Sequence, residues 1–261
     1  MGPAEALAIL GAGAAAGAVN AVVGSGSLIT FPTLLAFGFP PIVANVSNNV
    51  GLVPGNVSGA IGYRRELAGQ RTRLVRLGVI AAAGSAGGAA ALLSLPSATF
   101  KVIVPVLILI ACALVLVQPW LSRKITARRA RRAAPLHPPE DDREPLSPAL
   151  GVGVLTSAAY GGYFGAAQGV LVIGLLGTFL DETMQRVNGA KNVLVAVVNG
   201  VAAIVYLIFA HVAWVVVLLI AAGSTVGGAV GARFGRRLPP LALRIFVVVI
   251  GVVSAVKLLF F

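Results

Sequence analysis

The chain has 261 residues, 58% of them hydrophobic and only 11% charged, with a formal net charge of +12. Its mean hydropathy is +0.95. That composition excludes a soluble globular domain, and long apolar runs with little β-alternation argue against a β-barrel. The single cysteine, Cys112, allows no intrachain disulfide and reads as a small buried apolar residue.

Apolar runs of roughly 20 residues, the length a helix needs to cross a bilayer, fall near 4–24, 41–63, 74–95, 99–120, 149–168, 187–210, 213–234 and 240–260. Two more, 26–38 and 169–180, are too short to cross. No Lys or Arg precedes Arg64, so the basic start of a signal peptide is missing and the first helix is expected to be retained. Gly24-Ser25-Gly26-Ser27 breaks that helix, and a short helix is expected over about 27–38. Pro40-Pro41 opens the next helix, since proline is tolerated in a first turn. Ser94-Leu95-Pro96 predicts a tight turn between two further spans. Residues 121–147 are basic, then Pro-rich and acidic, and read as a solvated linker with a helical start at most. The expected organisation is an N-terminal unit over 1–120, this linker over 121–147, and a C-terminal unit over 148–261.

The positive charge is gathered at the ends of the apolar runs. Three clusters (Arg64 to Arg76, Arg123 to Arg143, Arg233 to Arg244) hold sixteen of the twenty basic residues. This is the pattern of cytoplasmic loops in a multi-pass membrane protein rather than of a nucleic-acid surface. Contact with anionic lipid is a secondary use.

The chain repeats itself at an offset of 143. Gly26 falls on Gly169, Asn45 on Asn188, Asn49 on Asn192, Asn56 on Asn199, Tyr63 on Tyr206, Gly84 on Gly227, Gly88 on Gly231, and Leu95-Pro96 on Leu238-Pro239. The charges do not repeat: Arg64-Arg65 falls on Leu207-Ile208, and Leu93-Ser94 on Arg236-Arg237. With basic loops inside, the two halves run in opposite directions, the arrangement of many secondary transporters. Three cytoplasmic clusters also demand an even number of crossings between 147 and 233. Residues 149–180 must therefore enter and return on one side, and the repeat implies the same for 4–38. The expected fold is an all-α polytopic membrane protein of two inverted-topology repeats, each a membrane-entering helical hairpin plus three transmembrane helices, with both termini extracytoplasmic.

The hairpin tips are where chemistry is expected. Non-helical backbone survives at membrane depth only against protein or a wet cavity. A helix starting at such a tip points free N–H groups and a positive dipole end inward, a setting suited to an anion. The candidate substrate-binding residues are Gly24, Ser25, Gly26 and Ser27 at the first tip and Gln168 and Gly169 at the second. Asn45, Asn48, Asn49, Asn188 and Asn192 add amides, and Lys191 adds charge. Polar residues in apolar runs usually mark a pathway or site. The competing readings are close helix packing for the glycines, interhelical hydrogen bonds for the asparagines, and a side chain reaching the headgroups for Lys191. Asp181 and Glu182, with Arg186 beside them, read as a helix start, and His211 as a loop residue. No Asp or Glu lies deep in a span, and there is no P-loop, HExxH or GxSxG motif. No cofactor, metal site or catalytic residue is expected, and the chain is not read as an enzyme.

These residues resemble the TauE/SafE sulfite exporter family, also called the toluene-sulfonate uptake permease family. The likeness rests on Asn20 through Pro32, Ala44 through Asn49, Pro54-Gly55, Gly59 and Tyr63-Arg64-Arg65. In the second half it rests on Gly161 through Gly169 and Asn188 through Asn192. It covers both halves and omits the linker. Ser25 and Gln168 depart from it, each interrupting a glycine run. The resemblance implies a bacterial inner-membrane transporter or facilitator of a small sulfur-containing oxyanion such as sulfite, a sulfonate like sulfoacetate, or thiosulfate. The expected partners are that anion and the bilayer, not nucleic acid. A small carboxylate would use the same donors, and a non-transporting intramembrane accessory protein is the remaining alternative.

Overall fold

A computed structural model describes residues 1–131, 146–234 and 240–260. Among these residues the chain is helical throughout, with no strand: α1 Pro3–Val22, α2 Ser27–Ala36, α3 Pro41–Gly62, α4 Arg71–Ser94, α5 Ser97–Arg131, α6 Pro148–Tyr163, α7 Gln168–Phe179, α8 Met184–Phe209, α9 Trp214–Phe234 and α10 Pro240–Phe260. Among the described residues five helices are long and apolar enough to cross a membrane: α1, α4, the Thr99–Ala127 part of α5, α8 and α9. α3 has the length for it, but its asparagine row lowers its hydropathy. Most of the linker, Arg236-Arg237 and the Leu238-Pro239 match lie outside the described residues. α5 carries the linker's expected helical start as far as Arg131.

Both expected breaks are present. α1 stops at Val22 and α2 begins at Ser27, with Gly24 at φ +85°. α6 stops at Tyr163 and α7 begins at Gln168, with Gly165 at φ +76° and Ala167 at φ +58°. Gly24 and Ala167 are 143 apart, and both hold a left-handed conformation that side chains resist. α2 and α7, at ten and twelve residues, are too short to span.

Packing pairs the halves. α1 lies along α9 and α6 along α4; α3 lies against α9, and α8 against α4; α10 meets α2, and α5 meets α7. At the offset of 143 each of these pairs maps onto its neighbour, while α3·α8 and α5·α10 map onto themselves. The matched glycines make the approach possible. A Cβ on Gly88 would lie 1.9 Å from Ala159 O, and one on Gly231 would lie 2.6 Å from Ala18 O. Removing side-chain bulk at these crossings lets backbones touch, which is how helices gain packing energy in lipid. Cys112 is buried against α10, its Sγ 3.9 Å from Val248 O.

Candidate functional site

The two hairpin tips meet. Gly169 N–H donates to Gly24 O at 3.2 Å, and a Cβ on Gly24 would lie 2.5 Å from Gly169 Cα. α3 and α8 cross beside this junction and join through Asn49 Nδ2, which donates to Asn199 Oδ1 at 3.4 Å. The twelve candidate residues are all buried, none more than 9% exposed among those with polar side chains.

Breaking a helix orphans its last carbonyls, and α1 shows how this chain answers that. Asn20 O is left without a helical partner because the amide of Gly24 turns back to Val19 O, and Ala21 O lies in the last turn of α1, past which the helix does not continue. α8 supplies the missing donors. Lys191 Nζ donates to Asn20 O at 2.8 Å and Ala21 O at 3.1 Å, and Asn188 and Asn192 donate to Ala21 O at 3.3 and 3.2 Å. Asn188 also donates to the Tyr63 hydroxyl at 2.8 Å. Lys191 is fully buried, with its amino group on the two carbonyls at the end of α1. α6 is treated the same way by the opposite half. Asn45 Nδ2 donates to Tyr163 O at 3.1 Å, and the Tyr206 hydroxyl donates to Gly162 O.

Asn45, Asn188 and Asn192 are therefore engaged with helix-end carbonyls, and Asn49 with Asn199. Thr30 Oγ1 donates to Asn48 Oδ1. Three side-chain atoms at the tips remain without a partner among the described residues: Ser25 Oγ and both polar atoms of Gln168, each residue 1% exposed. Asn49 Oδ1 and Asn188 Oδ1 are also unpartnered. An unmet buried polar atom costs about 1–3 kcal/mol, so a cluster of them fits a place that receives a ligand.

Asn20, Tyr63, Tyr206 and Gln118 join the site without having been singled out for it. Gln118 Nε2 donates to Val23 O at 3.3 Å, just before Gly24. The signal for Asn20 is its position, a buried amide at the end of an otherwise apolar helix, four residues before the break. Tyr63 and Tyr206 share the 143 offset, which marks them as repeat-related but does not reveal what they hold.

Farther along α8, Thr183 caps the helix by accepting from Arg186 N at 3.4 Å. Glu182, 8% exposed, pairs with Arg73 at 3.1 Å and Arg186 at 2.5 Å, and Arg186 Nη1 donates to Ala68 O at 3.0 Å. This network ties the α3–α4 loop and the start of α4 to the start of α8. His211 lies exposed in the loop between α8 and α9. Among the described residues no group of three or more His, Cys, Asp or Glu is placed to hold a metal.

The family described as "Sulfite exporter TauE/SafE" matches residues 9–258. A probable membrane transporter protein of Haemophilus influenzae is 26% identical over 245 residues, covering 93% of this chain and 89% of its own length. The probable membrane transporter protein YfcA of Escherichia coli K12 is 22% identical over 252 residues, with 94% and 86% covered. The probable membrane transporter protein ORF9 of a Sinorhizobium species is 26% identical over 245 residues, with 94% and 88% covered. No solved structure matches the chain. Two glycine-broken hairpins facing each other among membrane-length helices and a family match across both halves lead to one conclusion: the chain belongs to the TauE/SafE family and is a multi-pass membrane transporter.

Proposed function

We propose that the protein is a secondary transporter or facilitator for a small sulfur-containing oxyanion, bound where the two hairpin tips meet near the middle of the bacterial inner membrane. The observation that carries this reading is Lys191. It is wholly buried, donates only to two main-chain oxygens, and pairs with no carboxylate among the described residues. A buried cation without a counter-charge is costly, and an anion supplies that charge. The starts of α2 and α7 converge beside it with their positive dipole ends, and Ser25 and Gln168 offer hydrogen bonds that no described residue takes.

Alternating access follows from the repeat. The paired packing of α1·α9 with α6·α4 and of α3·α9 with α8·α4 supports two halves of opposite topology that rock about the tips. The basic loops then lie in the cytoplasm and the loop at His211 outside. A cysteine placed at 211 is expected to be labelled by a membrane-impermeant maleimide from the outside; labelling only from the cytoplasm contradicts the inverted arrangement.

Substrate identity is tested by titrating the purified protein with sulfite, sulfoacetate, taurine, thiosulfate and lactate. The account expects a sulfur oxyanion to bind most tightly. Preference for lactate makes the substrate a carboxylate, and binding of none removes the anion site.

A further inference from the structure

We propose that Asn20 is a place-holder for the anion: its two oxygens occupy the donors that the anion uses, and the anion binds by displacing them. This rests on the tip site of the preceding reading. Asn20 Oδ1 accepts from Gly26 N–H, the amide at the start of α2, at 3.3 Å. Its main-chain oxygen accepts from Lys191 Nζ at 2.8 Å. One residue thus covers both a helix-start amide and the buried amino group, the two strongest anion donors at the first tip. The amide orientation is fixed, because a backbone N–H needs an acceptor and so must face Oδ1. Nδ2 then turns the other way and donates to Asn56 Oδ1 on α3.

The ligand is indicated independently by the unpartnered Ser25 Oγ and Gln168 side chain, each 1% exposed, at the two tips. An oxyanion presents acceptor oxygens, the same kind of atom that Asn20 presents. Exchanging one for the other keeps Gly26 N–H and Lys191 supplied with an acceptor in both the empty and the loaded site, at the cost of the bonds that the two Asn20 oxygens give up. The exchange also has a mechanical result. Asn20 O loses Lys191 while Asn20 Nδ2 stays on α3 and Ala21 O keeps Asn188 and Asn192, so loading removes one of the bonds that hold the end of α1 to α8. The site accordingly suits a head group made only of acceptors, such as a sulfite, sulfonate or carboxylate. A head group whose contact atoms are N–H or O–H donors would leave Gly26 N–H and Lys191 without acceptors.

The test is the affinity of the full-length protein for sulfite, by isothermal titration, in Asn20→Ala and Asn20→Asp. The alanine variant removes the side-chain competitor at Gly26 N–H but keeps the main-chain oxygen, so sulfite is expected to bind about three- to tenfold more tightly, the equivalent of one hydrogen bond. The aspartate variant is nearly isosteric and tethers a carboxylate onto the same donors, so sulfite is expected to bind at least about tenfold more weakly. An unchanged or weakened affinity in Asn20→Ala overturns the place-holder, since a structural or direct-ligand role predicts that direction. If Asn20→Ala does not fold, an unaltered affinity in Asn20→Asp overturns it instead. Lys191→Ala separates the two levels of the argument. If sulfite affinity does not respond to Lys191→Ala either, the tip site itself is wrong; if it drops there but not in Asn20→Asp, only the place-holder fails.

Discussion

The ends of α1 and α6 are built alike and finished differently. In each, a helix stops inside the protein and exposes carbonyls, and the opposite half covers them. At α6 the cover is neutral: Asn45 on Tyr163 O and Tyr206 on Gly162 O. At α1 it includes Lys191 along with Asn188 and Asn192. The position matching Lys191 is Asn48, which accepts from Thr30 instead. Capping alone is achieved without charge at α6, so capping does not explain the lysine at α1. The difference teaches that positions matched at the offset of 143 are finished with different side chains, and that a buried amino group stands at one of the two helix ends only.

The greatest effect is expected where the halves touch. Gly169→Ala forces a Cβ into van der Waals overlap at the tip junction, since Gly24 Cα already occupies that space, as the 2.5 Å approach shows. Transport should be abolished and the melting temperature lowered by several degrees. Gly87→Ala meets nothing within 4 Å and is the control, expected to leave both unchanged. A Gly169→Ala protein that transports normally breaks the claim that the tips close on each other.

The halves also differ at the ends of their third helices. Buried Glu182 and Arg73 and half-buried Arg186 form an ionic network, whereas the matched positions are Phe39, Val43 and Val216. Glu182→Gln leaves two guanidinium groups facing a neutral amide, and breaking such a pair costs about 3–5 kcal/mol. A thermal or denaturant midpoint measured in detergent should fall accordingly; a midpoint within error of wild type assigns the network no structural weight.

The smallest effect sharpens the comparison from the other side. Ser157 matches Ala14, and its buried hydroxyl has no partner among the described residues. Ser157→Ala makes the halves more alike and should raise stability by about 1 kcal/mol, the low end of the cost of an unmet buried polar atom. A loss beyond about 1 kcal/mol would show that the hydroxyl has a partner in the membrane.

The frame was legible in the sequence for physical reasons. Glycines in an apolar run at Gly24 and Gly26 leave few alternatives to a break, and polar matches at one offset are rare by chance. Asp181 and Glu182 lie just before α8, and His211 lies in a loop, as their chemistry suggests. What the asparagines bind was not legible. Asn188 reads as a free amide until the seating of α8 on α1 places it against Ala21 O, 167 residues away. Asn20 was missed for the same reason: its partner Lys191 is 171 residues distant, and no local pattern encodes a contact set by helix packing. A carbonyl orphaned by a broken helix is a local fact, but the side chain that covers it is a long-range one.

The most direct test of the account is the dissociation constant of the best-binding anion, by isothermal titration, for wild type and Lys191→Ala. A buried charge-assisted hydrogen bond contributes about 1.5–3 kcal/mol, so the alanine variant should bind roughly ten- to hundredfold more weakly. Lys191→Arg should not restore binding, because a planar guanidinium fits poorly in a fully buried site where Lys191 Cδ lies only 3.1 Å from the place a Cβ on Gly169 would take. An unchanged dissociation constant in a folded Lys191→Ala protein would contradict the account and leave Lys191 as a helix cap alone.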